Sequence, residues 1–194
     1  MALATWLEAT RRAAPWYAAW MELPSIKDIR DAARRIERHA HRTPVLRCGQ
    51  LDDLAGRALF FKCENLQKVG AFKFRGALNA VLSLTDQEAA TGVCTHSSGN
   101  HAAALALAAR IRGIPAHVVM PGGSPACKRE AVLGYGARIV ECDPTLEARE
   151  RTLEDLRRTT GASFVHPYDD PRVIAGQGTV ALELHAQVPD LDTL

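Results

Sequence analysis

The chain has no long basic run. Its 24 lysines and arginines are mixed with 22 aspartates and glutamates, for a net charge of +2. Nothing in that pattern would neutralise a row of phosphates, so a nucleic acid is not expected as a partner. There is also no CxxC pair. The five cysteines, Cys48, Cys63, Cys94, Cys127 and Cys142, are odd in number and widely spaced. A disulfide framework and a zinc site are therefore not expected, no metal ligands are assigned, and a reducing, cytoplasmic setting fits best. No apolar run approaches the roughly 20 residues of a membrane span. The N-terminus lacks the basic start and unbroken apolar core of a signal peptide, and Glu8 and Glu22 argue against the transit peptide that Arg11 and Arg12 hint at. GxSxG and HExxH are absent, and nothing singles out one cysteine as a protease nucleophile. There is no internal repeat and no low-complexity linker.

What is present is ordinary globular material, 47% hydrophobic and 24% charged, arranged in a regular alternation. Residues 1–24 read as an N-terminal extension, with Trp6, Trp16, Tyr17 and Trp20 suggesting an amphipathic helix. Ser25 caps a helix through Arg38, with Ile26, Ile29, Ala33 and Ile36 at helical spacing. Ala58–Cys63 reads as a short strand and 75–84 as a helix. Strands at 93–96, 116–120, 138–142 and 163–166 then alternate with helices at 101–112, 125–133, 146–158 and 173–188. Short strands alternating with helices predict an α/β fold, with a parallel sheet covered by helices on both faces. Ligands of such sheets collect at the C-terminal ends of the strands, where loops lead into helices.

Two segments carry candidate chemistry. The first is His96-Ser97-Ser98-Gly99-Asn100-His101, which leaves a strand and opens a helix. Unpaired N–H groups at a helix start hold anions, and Gly99 lets a ligand approach the backbone; the alternative is a cluster that only starts the helix. The second is Lys73 in VGAFKFRG. A lysine becomes a nucleophile when desolvation or nearby cations favour loss of its proton. Phe72 and Phe74 offer apolar surroundings, although an exposed, idle lysine is the commoner case. Gly176-Gln177-Gly178-Thr179-Val180-Ala181 fits a loose GxGxxA dinucleotide fingerprint. No strand runs into it, so it reads as close packing at a helix start.

Taken together, the blocks HRTPVL (41–46), FFKCENLQKVGAFKFRGALNAV (60–81), THSSGNH (95–101), YGARIVEC (135–142) and HPYDDPRVIAGQGTVALEL (166–184) resemble the fold-type II pyridoxal-phosphate enzymes. The likeness is to their serine racemase and serine/threonine dehydratase (ammonia-lyase) group. It covers most of 26–194 and the N-terminal portion of such enzymes. It implies a two-lobed fold like the tryptophan synthase β subunit, cut short at its C-terminal part. Residues 25–91 and 169–194 would belong to an incomplete large domain that holds the cofactor, and 92–168 to a small mobile domain. It also implies a homodimer in full-length members.

The resemblance assigns roles by position. Lys73 matches the lysine that bonds covalently to pyridoxal 5'-phosphate and moves the substrate's α-proton. Phe72 matches the residue against the pyridine ring, and Asn100 the amide at the ring's phenolic oxygen. Ser97, Ser98, Gly99, Asn100 and His101 match the loop that receives the substrate carboxylate. Ser98 also matches the racemase residue that exchanges the α-proton on the opposite face. Many members carry glycine and glutamine where Ala102 and Ala103 stand here, so regulation by a nucleotide is not expected. The implied activity is dehydration of L-serine or L-threonine to a 2-oxo acid and ammonia, racemisation of serine, or both. The chain ends before the glycine-rich loop that cradles the cofactor phosphate, from which weak cofactor binding and low turnover are expected. The alternatives are a non-catalytic remnant that pairs with a full-length homologue and a dinucleotide-binding domain.

Overall fold

The computed structural model describes residues 23–194; the amphipathic helix expected in the N-terminal extension lies outside the described residues. Helix α1 (Ile26–Ile36) begins at a capping box. Ser25 accepts the Asp28 N–H, and the Asp28 carboxylate accepts the Ser25 N–H at 2.8 Å. This satisfies two of the donors orphaned at a helix start. Its buried stripe is Ala32 and Ile36, whereas Ile26 is 54% exposed. The chain then forms β1 (Val45–Leu46), α2 (Gly49–Ala55) and β2 (Phe61–Lys62). The strand expected over Ala58–Cys63 is thus reduced to two residues, which pair antiparallel with β1 and not with the main sheet.

Two 3₁₀ turns, Glu64–Leu66 and Lys68–Gly70, lead into α3 (Lys73–Leu82), and α4 (Asp86–Ala90) follows. The rest is a run of strand–helix units. These are β3 (Val93–His96), α5 (Asn100–Arg112), β4 (Ala116–Pro121), α6 (Ala126–Gly134), β5 (Arg138–Cys142), α7 (Leu146–Thr160), β6 (Ser163–Phe164) and α8 (Pro171–Gln187). The four strands form one parallel sheet in the order β5-β4-β3-β6. Alternate strand residues point to opposite faces. Val93, Val118, Met120 and Ile139 pack with α5 and α6, while Cys94, Val119 and Val140 pack with Leu153 and Leu156 of α7. The sheet is therefore covered on both faces, as the alternation predicted.

From β3 the chain builds outward through β4 and β5, then returns to the other side of β3 for β6. That reversal places a crevice at the C-terminal ends of β3 and β6. Beside the sheet, α3 and α5 are buried almost all round, and α8 packs across α3 and α1. The GxGxxA glycines are used in this packing. A Cβ on Gly176 would sit 2.6 Å from the Arg75 carbonyl oxygen and 2.6 Å from Gly76 Cα. The three atoms nearest a Cβ on Gly178 all belong to the Ile29 side chain, the closest at 2.9 Å. Among the described residues no helix is long and apolar enough to cross a membrane.

The two glycines should respond differently to alanine. Gly176→Ala forces backbone apart and should lower unfolding stability by about 3 kcal/mol. At Gly178 the nearest neighbour is a side chain and not backbone, and helix propensity improves, so Gly178→Ala should cost less than Gly176→Ala, within about 1 kcal/mol of the parent. Urea denaturation midpoints of the two variants check this.

Candidate active site

The segment that delivers Lys73 is held from the side. The Gln67 side chain accepts the His41 N–H at 2.9 Å and the Lys68 N–H at 3.0 Å, and it donates to the His41 carbonyl at 2.8 Å. Val69 adopts φ 58°, followed by Gly70 at φ 67°. A β-branched residue in the left-handed region is a strained one, costing about 1–3 kcal/mol, and such strain tends to gather at functional sites. The backbone then extends at Ala71, and α3 opens at Lys73 with no side-chain cap. Lys73 is half-buried. Its Nζ donates to the Pro167 carbonyl at 2.9 Å and lies 5.3 Å from the centre of the Phe72 ring. Burial lowers its pKa below the ordinary lysine value. The flanking phenylalanines differ. Phe74 is fully buried in the core, while Phe72 is 43% exposed beside the lysine.

The loop after β3 starts α5 without a side-chain cap, Gly99 standing at the N-cap position. Ser97 Oγ accepts the Gly99 N–H at 3.3 Å, and the Ser97 N–H donates to the Val119 carbonyl at 3.2 Å. The loop is thus shaped from within, and no side chain takes the N–H groups of the first helical turn. Their partial positive charge remains for an anionic ligand. His101 is buried, with Nε2 3.4 Å from the Val165 carbonyl. A carbonyl only accepts, so that nitrogen carries the proton. Nδ1 is left as a buried acceptor without a partner. Burial drives the His101 pKa down to about 4, with the nearby Lys73 and His166 charges adding to the shift.

The loop after β6 closes the other side. His166 Nδ1 accepts the Tyr168 N–H at 3.3 Å and the Asp169 N–H at 2.8 Å. The His166 ring stands edge-on to Tyr168, Phe164 and His96, at centroid distances of 4.5, 5.6 and 5.8 Å. Asp170 then caps α8 by accepting the Arg172 N–H at 2.9 Å.

One cavity of about 560 Å³ joins these pieces. Phe72, Lys73, Ser97, Ser98, Gly99, Asn100 and His101 all line it, so the lysine segment and the loop after β3 meet at one place. It lies at the strand ends where the sheet order reverses. His96, at the head of the candidate segment, lines it too, and the structure adds groups the sequence did not assign: Lys128, Leu146, Arg149, Pro167 and Tyr168. Three of the lining residues are cations and none is a carboxylate. Gly176 and Gly178, by contrast, are absorbed in helix packing and offer a dinucleotide no open loop.

Residues 36–194 match the family model described as "Pyridoxal-phosphate dependent enzyme", and the chain belongs to that family. Serine racemase of Arabidopsis thaliana is 53% identical over 169 residues, 87% of this chain and 51% of the relative. The beta-hydroxyaspartate dehydratase of Paracoccus denitrificans is 53% identical over 174 residues, 90% of this chain and 55% of the relative. The structure of maize serine racemase superposes with a TM-score of 0.87 at 50% identity, covering 88% of this chain and 52% of that one. The chain spans about half the length of the relatives it matches. The cavity fits the family's cofactor. It offers a desolvated amine for an aldehyde, the Phe72 ring beside that amine, and an uncapped helix start for a carboxylate.

The buried His101 has a consequence for stability. An unfolded chain takes up this proton near pH 6.5, whereas the folded chain does so only near pH 4. The unfolded state therefore binds more protons between those values. The stabilising effect is fully present above about pH 6.5 and lost as pH falls to about 4, a change on the order of 3 kcal/mol. Urea denaturation across this range should show that slope, and His101→Gln should flatten it relative to the parent.

Proposed function

We propose that this chain carries the lysine-bearing part of a pyridoxal-phosphate site acting on hydroxylated amino acids, by β-elimination, racemisation or both. The observation that carries the reading is the meeting of a desolvated Lys73 with the uncapped Ser97–His101 helix start in one cavity. The Lys73 amine would hold the cofactor's aldehyde and would serve as general base toward the substrate's α-proton. When bound, the cofactor's conjugated ring spreads the charge left by that proton. Phe72 supplies an apolar wall to the ring and Asn100 an amide hydrogen bond. Ser97, Gly99, Asn100 and His101 hold the substrate carboxylate. Ser98, which also lines the cavity, would serve as a second proton donor, opening racemisation beside loss of the β-hydroxyl. The expected unit 92–168 is supported by the fact that all four strands of the parallel sheet fall between Val93 and Phe164; we take it to move as a lid. Free thiols at all five cysteines suit a cytoplasmic setting, and homodimeric assembly is part of the same reading.

Borohydride trapping with pyridoxal phosphate followed by peptide mapping tests the anchor. The parent should carry the cofactor mass on the Lys73 peptide, and Lys73→Ala should not. A parent that never acquires the mass would favour the non-catalytic remnant. Chiral analysis of products from L-serine separates dehydratase from racemase.

A second reading of the substrate rests on the cations. Lys128 and Arg149 line the cavity beside Lys73 and form no ion pair among the described residues; Arg149 Nε is buried without a partner. An amino acid with a second carboxylate, as in the relative named for beta-hydroxyaspartate, would occupy them. Arg149→Leu should then weaken binding of 3-hydroxyaspartate about 10- to 100-fold and leave serine nearly unaffected, a split that steady-state kinetics reads.

A further inference from the structure

The Lys73 ammonium is held by no side chain. Its hydrogen-bond partner is the main-chain carbonyl of Pro167, so its position depends on what fixes the backbone of 166–169. That backbone is not part of a strand or helix. Its N–H groups at Tyr168 and Asp169 instead converge on a single atom, Nδ1 of His166. An atom that accepts two N–H groups carries no proton. The neutral ring must then hold its one proton on Nε2.

We propose that His166 is a positioning residue: by accepting the Tyr168 and Asp169 N–H groups at Nδ1, its neutral ring fixes the turn that presents the Pro167 carbonyl to Lys73, and protonation of the ring releases both. In the imidazolium both nitrogens are donors. Three N–H groups would then point at one another, and the turn must open. The carbonyl of Pro167, between the ring and the two amides in sequence, moves with it.

The surroundings favour the closed form. Facing the ring are His96 from the end of β3, His101 at the start of α5, Lys73 from α3, and Tyr168, Asp169 and Asp170 from its own loop. Burial, together with the Lys73 charge, outweighs the two aspartates and keeps the ring's pKa below the ordinary histidine value. Asp170 is also drawn off by Arg172, which pairs with it at 2.7 Å. The latch is therefore shut at neutral pH and opens in acid.

The proposal goes beyond the cofactor reading and does not need it, because the test involves neither cofactor nor turnover. Hydrogen exchange on the whole chain, corrected for intrinsic rates, follows the Tyr168 and Asp169 amides from about pH 8 to about pH 5 while NMR tracks the His166 ring. In the parent, protection of both amides should fall at least tenfold along the His166 titration, with the β3 amides still protected. His166→Asn retains an acceptor oxygen that does not titrate, so protection should stay high and flat with pH. Reductive methylation of Lys73 at about pH 8 should be parent-like in His166→Asn and several-fold faster in His166→Ala. If His166→Ala does not fold, the parent profile and the Asn variant decide the matter. Parent protection that ignores the His166 titration, or that is lost together with β3, would overturn the proposal. So would an Asn variant whose protection keeps the parent's pH dependence.

Discussion

The position of Lys73 depends on a buried arginine two residues further on. The Arg75 guanidinium is fully buried. Its Nε and Nη2 donate to Glu64 at 2.8 Å each, and its two terminal nitrogens donate to Glu183 at 2.7 and 2.9 Å. Lys62 meets the same Glu183 at 2.7 Å and also reaches Gln187 and the Thr43 carbonyl. Two cations and two carboxylates thus close a neutral cluster. Burial alone would disfavour the Arg75 charge, but the bonds to Glu64 and Glu183 hold its pKa above the usual arginine value. In Glu183, burial is likewise outweighed by Arg75 and Lys62, and the carboxyl is held below its usual range. Such clusters add little net stability over apolar packing, but losing one member strands its partners at about 3–5 kcal/mol. What this cluster adds is position. It pins the start of α3 to the turn after β2 and to α8, and Lys73 inherits that placement.

The parallel sheet was legible because its strands and helices differ in period and are separated by glycine, proline and capping residues. Val93–His96 and Arg138–Cys142 have the bounds expected. The region before it was less so. Helix α2 buries none of its residues, so it left no apolar period to read, and β1 is two residues long. Lys73 and the Ser97–His101 loop could be marked from motif and from place in the fold. The groups that complete the cavity could not. Lys128 and Arg149 come from α6 and α7, remote in sequence, and look like any solvated cation of a charged helix. Val69 gave no sign of its left-handed backbone, because the constraint comes from Gln67 and His41 and not from valine's own preference.

Several irregularities of the molecule lie close to the candidate site. The uncapped start of α5 and the orphaned His101 Nδ1 lie at the same cavity, and the strained Val69 sits in the segment that leads into Lys73. By contrast, α1 and α4 have capping boxes, and α5 and α7 end on left-handed glycines. At the cavity the unpartnered His101 Nδ1 and Arg149 Nε stand beside the open N–H groups of α5, a preformed demand for a ligand. Away from it, Ser124, Arg129 and Gln177 also have buried atoms without partners.

The contact between Lys73 and Pro167 has one more consequence. The oxygen that receives the lysine belongs to the main chain, so no side-chain replacement can delete it. An alanine scan of the cavity walls would pass over the group that parks the amine. The control over this lysine is written into the shape of a turn, and only changes that reshape the turn will reveal it.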